Sequence, residues 1–296
     1  MTHARWKADL ALVAVTFIWG ATFILVKEAL NSVSTMLFLT IRFSIATLAL
    51  WFSFRGRGSH YPRDRKRELL AGLLVGTCLF AGYTLQTIGL RYTTASKAGF
   101  ITGFNIVLVP VLNALFYRRR PHVSEAAGVA LATIGMGLMT LNTLRFDIAF
   151  GDFLVLCCSF AYALHIIVLG HFARHMSYET LATNQIATAA LLGALTFWWI
   201  ETPRLTWTAG LVTALAVTSL LATALAFSIQ SWAQQFTTPT RTAIIFSLEP
   251  VFAWLASFVV AGELLSLRAA AGAALILAGI LVVELKPIRF SAHPST

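Results

Sequence analysis

The chain has 296 residues, 58% of them hydrophobic and only 11% charged, against about 25% charged in an ordinary soluble domain. A water-soluble globule is excluded. Crossing a hydrocarbon core of about 30 Å takes roughly 20 apolar residues of helix, so the length accommodates about ten spans with short loops and leaves no room for a soluble domain. The formal charge of +10 therefore belongs to the loops and helix ends.

Arg5 and Lys7 precede the first apolar run, 9 to 29, as in a signal peptide. Bulky Trp19 and Phe23, with many similar runs downstream, make it an uncleaved first span. The next candidates are 33 to 54, 69 to 90, 94 to 117, 124 to 142, 152 to 173, 178 to 200, 207 to 230, 238 to 260 and 268 to 285. The stretches 69 to 90 and 98 to 117 hold no Asp, Glu, Lys or Arg, the strongest form of the signal. The eighth span has the loosest boundary, because 205 to 240 is uncharged throughout. Cys78, Cys157 and Cys158 all fall in apolar stretches, and their spacing gives neither a disulfide framework nor a zinc motif.

With the N-terminus inside, the inner segments collect Arg5, Lys7, Arg55, Arg57, Arg63, Arg65, Lys66, Arg67, Arg118, Arg119, Arg120, Arg174, Arg241, Lys286 and Arg289. The outer segments keep Lys27, Arg91, Lys97, Arg145, Arg204 and Arg268. The positive-inside rule thus predicts cytoplasmic N- and C-termini. The expected location is a bacterial inner membrane, as a multi-pass protein. The basic run Arg57–Arg67 faces anionic lipid headgroups. It is a short loop without aromatic interleaving, so no nucleic-acid partner is expected.

At an offset of 144, Tyr92-Thr-Thr-Ala-Ser-Lys-Ala98 aligns with Phe236-Thr-Thr-Pro-Thr-Arg-Thr242, Gln86 with Gln230, Gly128 with Gly272 and Gly135 with Gly279. Earlier in each half an offset of 143 pairs Asp9 with Asp152, Trp19 with Tyr162 and Arg42 with Gln185. The expected fold is all-α and integral to the membrane, ten transmembrane helices in two five-helix repeats, 1 to 145 and 146 to 296. Five is odd, so the second repeat enters from the opposite face. Inverted topology with a pseudo-two-fold axis in the membrane plane is typical of secondary transporters.

The chain resembles the EamA-type members of the drug/metabolite transporter superfamily, ten-helix exporters that include the YddG-like amino acid exporters. The resemblance runs over essentially the whole chain. It rests on Trp19-Gly20-Ala21-Thr22-Phe23, Arg42-Phe43, Tyr92-Thr-Thr-Ala-Ser-Lys-Ala98, Ser247-Leu-Glu-Pro250 and Gly262-Glu263. The first half departs from the family, with Arg118, Arg119 and Arg120 where Gly-Glu is common after the fourth span. The resemblance implies export of small metabolites such as amino acids, with direction and driving force inherited from it.

Ionisable groups near the bilayer centre need a partner, water or a function. Arg42 lies near the middle of the second span and Glu249 near the middle of the ninth. Arg42 either binds carbonyls at a helix break, snorkels to an interface, or offers its planar fork to a substrate carboxylate. Glu249 is either a proton-coupling carboxyl or a structural one, neutral or paired with Arg42; its offset partner is Asn105, which cannot titrate. Pro110 and Pro250 each delete a backbone donor, freeing the carbonyls of Ile106 and Phe246, so kinks are expected there.

His165 is either a satisfied buried histidine, a proton relay or a substrate contact. Gln86, Gln230, Asn184 and Gln185 either bond between helices or line a cavity. Trp19, Phe23, Tyr83, Phe100, Tyr162 and Trp254 are candidates for its apolar walls, with Trp19 and Tyr162 ranked first because the repeat pairs them. Small residues at Gly128 and Ala132, and at Ala270, Ala274 and Ala278, allow close packing within the protein or in a weak homodimer, with a monomer as the default.

His171 and His175 have a metal pair's spacing but lack a third ligand nearby, so no metal is expected. No phosphate-binding GxxxxGK[ST] and no hydrolase GxSxG or HExxH occurs, so neither an enzyme nor a cofactor is expected. The reading is a secondary transporter of amino acids or related amphipathic metabolites by alternating access. Exchange of sugar phosphates or nucleotide-linked sugars, multidrug efflux, and a membrane enzyme or assembly subunit are the competing classes.

Overall fold

The computed structural model describes residues 2–56, 64–93, 95–118, 122–140, 149–261 and 266–284. Gly262-Glu263, the basic residues Arg57, Arg63, Arg119, Arg120, Arg145, Lys286 and Arg289, and the side chains of Phe23 and Lys97 lie outside that description. The described chain is helical nearly throughout: α1 (Thr2–Ala29), α2 (Thr35–Phe54), α3 (Arg65–Gly89), α4 (Ala95–Gly103), α5 (Asn105–Tyr117), α6 (Val123–Thr140), α7 (Phe150–Ala173), α8 (Tyr178–Ile200), α9 (Ala209–Ser219), a π-helical segment (Leu220–Leu225), α10 (Ala226–Ala233), α11 (Pro239–Phe246), α12 (Glu249–Ala261) and α13 (Leu267–Glu284).

These helices assemble into the ten expected spans, since α4 continues into α5, α9 runs through the π segment into α10, and α11 continues into α12. Six helical stretches are long and apolar enough to cross a membrane, including Thr35–Phe54, Phe150–Ala173 and Ala209–Ala233; Val123–Met139 and Leu267–Val283 are shorter apolar helices. Leu73, Leu191, Leu195, Trp198 and Trp199 are exposed outside, which in water is untenable and in lipid is the solvent-matched arrangement. Two loops also pair across the halves, Ser34 N–H donating to Arg204 O (2.9 Å) and Thr206 N–H to Ser32 O (2.8 Å). The Glu201 carboxylate beside them accepts from the backbone N–H groups of Thr35 (3.1 Å), Met36 and Leu37 (3.4 Å), satisfying the orphan donors that open α2.

The inverted repeat is visible in how α6 crosses α13. A Cβ on Gly135 would sit 2.5 Å from Gly272 O, and one on Gly128 would sit 2.8 Å from Gly279 O. Since Gly128 pairs with Gly272 and Gly135 with Gly279 in sequence, exchanging the halves turns one contact into the other, as a two-fold axis requires. The small-residue faces therefore meet inside the protein: Gly279 abuts Ala132, while Gly272, Ile276 and Val283 form the buried stripe of α13. Ala270 and Ala274, expected on that stripe, are exposed instead, because the packed face follows the glycines. Gly135→Val is expected to destabilise by about 1 to 3 kcal/mol through overpacking, whereas Gly99→Ala, with nothing near its added methyl, should leave the thermal midpoint of unfolding unchanged.

Both spans in which kinks were expected are interrupted. Pro110 sits within a continuous α5, and Pro250 sits in the first turn of α12, where its missing N–H costs nothing. The breaks fall at Phe104 and at Ser247-Leu248, so that Asn105 and Glu249, paired at offset 144, each open the second half-helix. The prolines are not themselves in register, and the break in the first half occurs without one at the equivalent position. The breaks thus follow the symmetry of the repeats rather than proline alone.

Candidate functional site

Both breaks face one central cavity of about 910 Å³, open solvent at its mouth included, ample for a small-molecule ligand. Trp19 and Thr22 of α1, Arg42 of α2, Tyr83 and Gln86 of α3, and Tyr162 and His165 of α7 line it. Phe227 and Gln230 of α10 line it too, with Thr102, Gly103 and Asn105 at one break and Phe246, Ser247 and Glu249 at the other. The lining continues to Val26 and Leu90 at the C-terminal ends of α1 and α3, while no residue from the first turn of α1 or α11 reaches it. The cavity therefore extends toward one end of the molecule.

Three of the expected lining residues are elsewhere. Phe100 packs in the cluster around Met136, Trp254 stacks near Phe258 with ring centroids 5.6 Å apart, and Gln185 is fully buried behind His165. Periodicity placed them in spans but did not say which face of each helix looks inward. Asn184 bonds outward from the cavity, its Nδ2 donating to Glu68 O (3.2 Å).

Arg42 is held by the π segment. Its Nε donates to Thr223 Oγ1 (2.7 Å) and its Nη2 to Tyr83 Oη (3.2 Å) and Ala222 O (3.4 Å), with the guanidinium 4.8 Å from the Tyr83 ring centroid. Thr223 in turn donates to Thr218 O (2.8 Å), a five-residue reach that belongs to the widened turn. A carbonyl at an irregular helix is thus part of what holds the cation, one of the alternatives open at sequence level. Nη1 keeps no partner among the described residues, and no ion pair joins Arg42 to Glu249. The Glu249 carboxylate likewise has no hydrogen-bonding partner among the described residues.

The aromatic pair Trp19 and Tyr162 obeys the repeat. Trp19 Nε1 donates to Ala222 O (2.9 Å) in the eighth span, and Tyr162 Oη donates to Gln86 Oε1 (3.2 Å) in the third. Each half's first helix therefore bonds across to the other half's third. Trp19 also packs on Phe227 (5.4 Å) and Phe246 (4.9 Å), giving the cavity a continuous aromatic wall.

At the end away from the cavity mouth, Arg241 is 2% exposed rather than in a loop. Its Nη2 donates to Asp9 Oδ2 (2.9 Å), its Nη1 to Val283 O (3.4 Å), and Thr237 Oγ1 donates to Asp9 Oδ1 (3.0 Å). At the opposite end Thr93 Oγ1 donates to Asp152 Oδ1. Asp9 and Asp152 are repeat partners, as are Thr237 and Thr93, so these are two copies of one lock. Sequence reading paired the residues but missed the bonds between them; three coincident pairings, Asp9 with Asp152 at offset 143 and Thr93 with Thr237 and Lys97 with Arg241 at offset 144, were the available signal.

A model of the EamA-like transporter family matches residues 6–141 and again 149–285. The chain belongs to the EamA-like transporter family. Uncharacterized transporters among its relatives include one of Archaeoglobus fulgidus, 36% identical over 95% of this chain and 87% of that protein. Another is YoaV of Bacillus subtilis, 22% identical over 93% of this chain and 95% of that protein. A solved crystal structure superimposes with a TM-score of 0.78 at 18% identity, covering 94% of this chain and 96% of that one, which shows a shared fold. The protein is accordingly a multi-pass membrane transporter of a small-molecule substrate, working in a lipid bilayer, and not an enzyme.

Proposed function

We propose that this transporter exports amino acids or related small amphipathic metabolites across a bacterial inner membrane by alternating access, with both termini cytoplasmic. The observation that carries this reading is the cavity between the breaks of both halves, with an aromatic wall, a cation at Arg42 and a carboxylate at Glu249. A zwitterion with an apolar side chain matches those three features at once. The halves, 1 to 145 and 146 to 296, rock about their shared axis. With the Asp9 end cytoplasmic, the Asp9–Arg241 lock is closed on the inside and the cavity faces outward; its copy, Asp152–Thr93, governs the outer end.

Arg42 and Glu249, with Trp19, Phe23, Tyr83, Gln86, Asn105, Tyr162, His165 and Gln230, make up the proposed substrate path, in a monomeric protein. Glu249 is the proposed proton-coupling group, since a carboxyl without a protein partner beside a cavity exchanges its proton with whichever side is open. Efflux of labelled amino acids from proteoliposomes, with and without a pH gradient, tests the reading. Specific efflux is expected, and Glu249→Gln is expected to abolish its pH-driven component. An unchanged gradient dependence in that variant removes the coupling role; no efflux of any amino acid from folded protein removes the substrate class.

A further inference from the structure

Two hydrogen-bond relays beside the cavity end on acceptors that nothing in the described protein satisfies. Gln234 Nε2 donates to the backbone carbonyl of Ile166 (3.0 Å), which turns Gln234 Oε1 toward Gln230 Nε2 (3.3 Å). The carbonyl contact orients the first amide and the first amide orients the second. Gln230 Oε1 is then left over, buried and without a partner, on a side chain 1% exposed that lines the cavity.

The second relay starts where Ser231 Oγ donates its one proton to Phe227 O (2.7 Å), so Ser231 accepts from Gln185 Nε2 (3.0 Å). Gln185 Oε1 must then accept from His165 Nε2 (2.8 Å). This puts a proton on Nε2 and leaves Nδ1, on a ring that lines the cavity, without a partner among the described residues. Both relays tie α7 to α10, and the His165 ring packs edge-on to Phe227 at 5.7 Å. The third spare acceptor in the cavity is the Glu249 carboxylate.

On the donor side, Tyr162 spends its hydroxyl proton on Gln86, and two of the three Arg42 nitrogens are committed to Thr223, Tyr83 and Ala222, which leaves Arg42 Nη1, the Tyr83 hydroxyl proton and the Asn105 amide. A neutral hydroxyl would satisfy an amide but would leave the unpaired carboxylate uncompensated. An ammonium satisfies both, and the aromatic side chains of Trp19, Phe227 and Phe246 line the same cavity, a setting that suits a cation.

We propose that the cavity contains an ammonium subsite formed by Gln230 Oε1, His165 Nδ1 and Glu249, and that this subsite, rather than carboxylate recognition, is the obligatory anchor of the ligand. The proposal rests on the transport reading above and narrows it: aromatic amines without a carboxylate bind, and acids without an amine do not.

Binding to the purified full-length protein, read by tryptophan fluorescence, tests this with phenylalanine, 2-phenylethylamine and 3-phenylpropionate. Phenylalanine and 2-phenylethylamine are expected to compete for one site, with 3-phenylpropionate at least a hundredfold weaker. Gln230→Leu should weaken 2-phenylethylamine at least tenfold, and the isosteric Glu249→Gln should do the same if the first variant folds poorly. Binding of 3-phenylpropionate in preference to the amine overturns the subsite, as does unchanged amine affinity in both folded variants. Amino acid efflux without amine binding overturns the subsite alone. Amine binding without any amino acid efflux supports the subsite and overturns amino acid export.

Discussion

Arg241→Met is expected to destabilise the folded transporter by about 3 to 5 kcal/mol, the usual consequence of removing one partner from a buried ion pair. Asp9 is 7% exposed and its charge is met by the guanidinium at 2.9 Å. With methionine in place, only the Thr237 hydroxyl remains among the bonds described for that carboxylate, and the Val283 carbonyl at the end of α13 loses its donor. The double variant Asp9→Leu, Arg241→Met should recover most of the loss, because an apolar pair of similar volume removes the stranded charge as well. Thermal unfolding followed by thiol labelling provides the readout, since Cys158 is free and buried. A single variant as stable as the parent would show that the pair carries no such burden. The stable double variant also tests the lock: a cysteine at Asn105 should become reachable from the Asp9 side of the membrane more often than in the parent.

Arg42→Gln is expected to lower specific efflux at least tenfold, equivalent to about 1.4 kcal/mol of transition-state stabilisation. Arg42→Lys should restore little, because an ammonium cannot reproduce the separate Nε and Nη2 contacts to Thr223, Tyr83 and Ala222. The binding of two probes separates its roles. If Nη1 receives a substrate carboxylate, the variant loses affinity for phenylalanine more than for 2-phenylethylamine, which is the expected outcome. Equal losses for both would confine Arg42 to holding the π segment in shape.

The span count, the inverted repeat and the family were all legible before any coordinates. Each depends on hydrophobic length and on residue pairs at a constant offset, both properties of the linear chain. Trp19 and Tyr162, paired only as candidate wall residues, also make two reciprocal bonds between the halves, which the pairing did not foresee. Sequence reading expected bends at Pro110 and Pro250 in the two spans that break, without naming Phe104 or Ser247-Leu248 as the positions. Nothing in local backbone preference marks Phe104; its position becomes apparent only beside its counterpart, Leu248, in the other half. The π segment was equally invisible, since Leu-Leu-Ala-Thr-Ala-Leu has no composition that distinguishes it from an ordinary apolar helix.

What hydrophobicity and register specify is which segments lie in the membrane and which halves correspond. Which face of each helix turns to the cavity, and which polar groups spend their bonds on one another, is decided by packing between helices distant in sequence. Phe100 and Trp254 read as candidate wall residues and face elsewhere, while Arg241 reads as a loop cation and is buried against Asp9. Gln230 has the sequence context of an ordinary bonded amide, and its free oxygen emerges only once Ile166, Gln234 and Gln230 are placed together. In a bilayer the lipid-facing and core-facing sides of a helix are both apolar, so the amphipathic signal that orients helices in water is largely absent, and tertiary contacts alone supply the orientation.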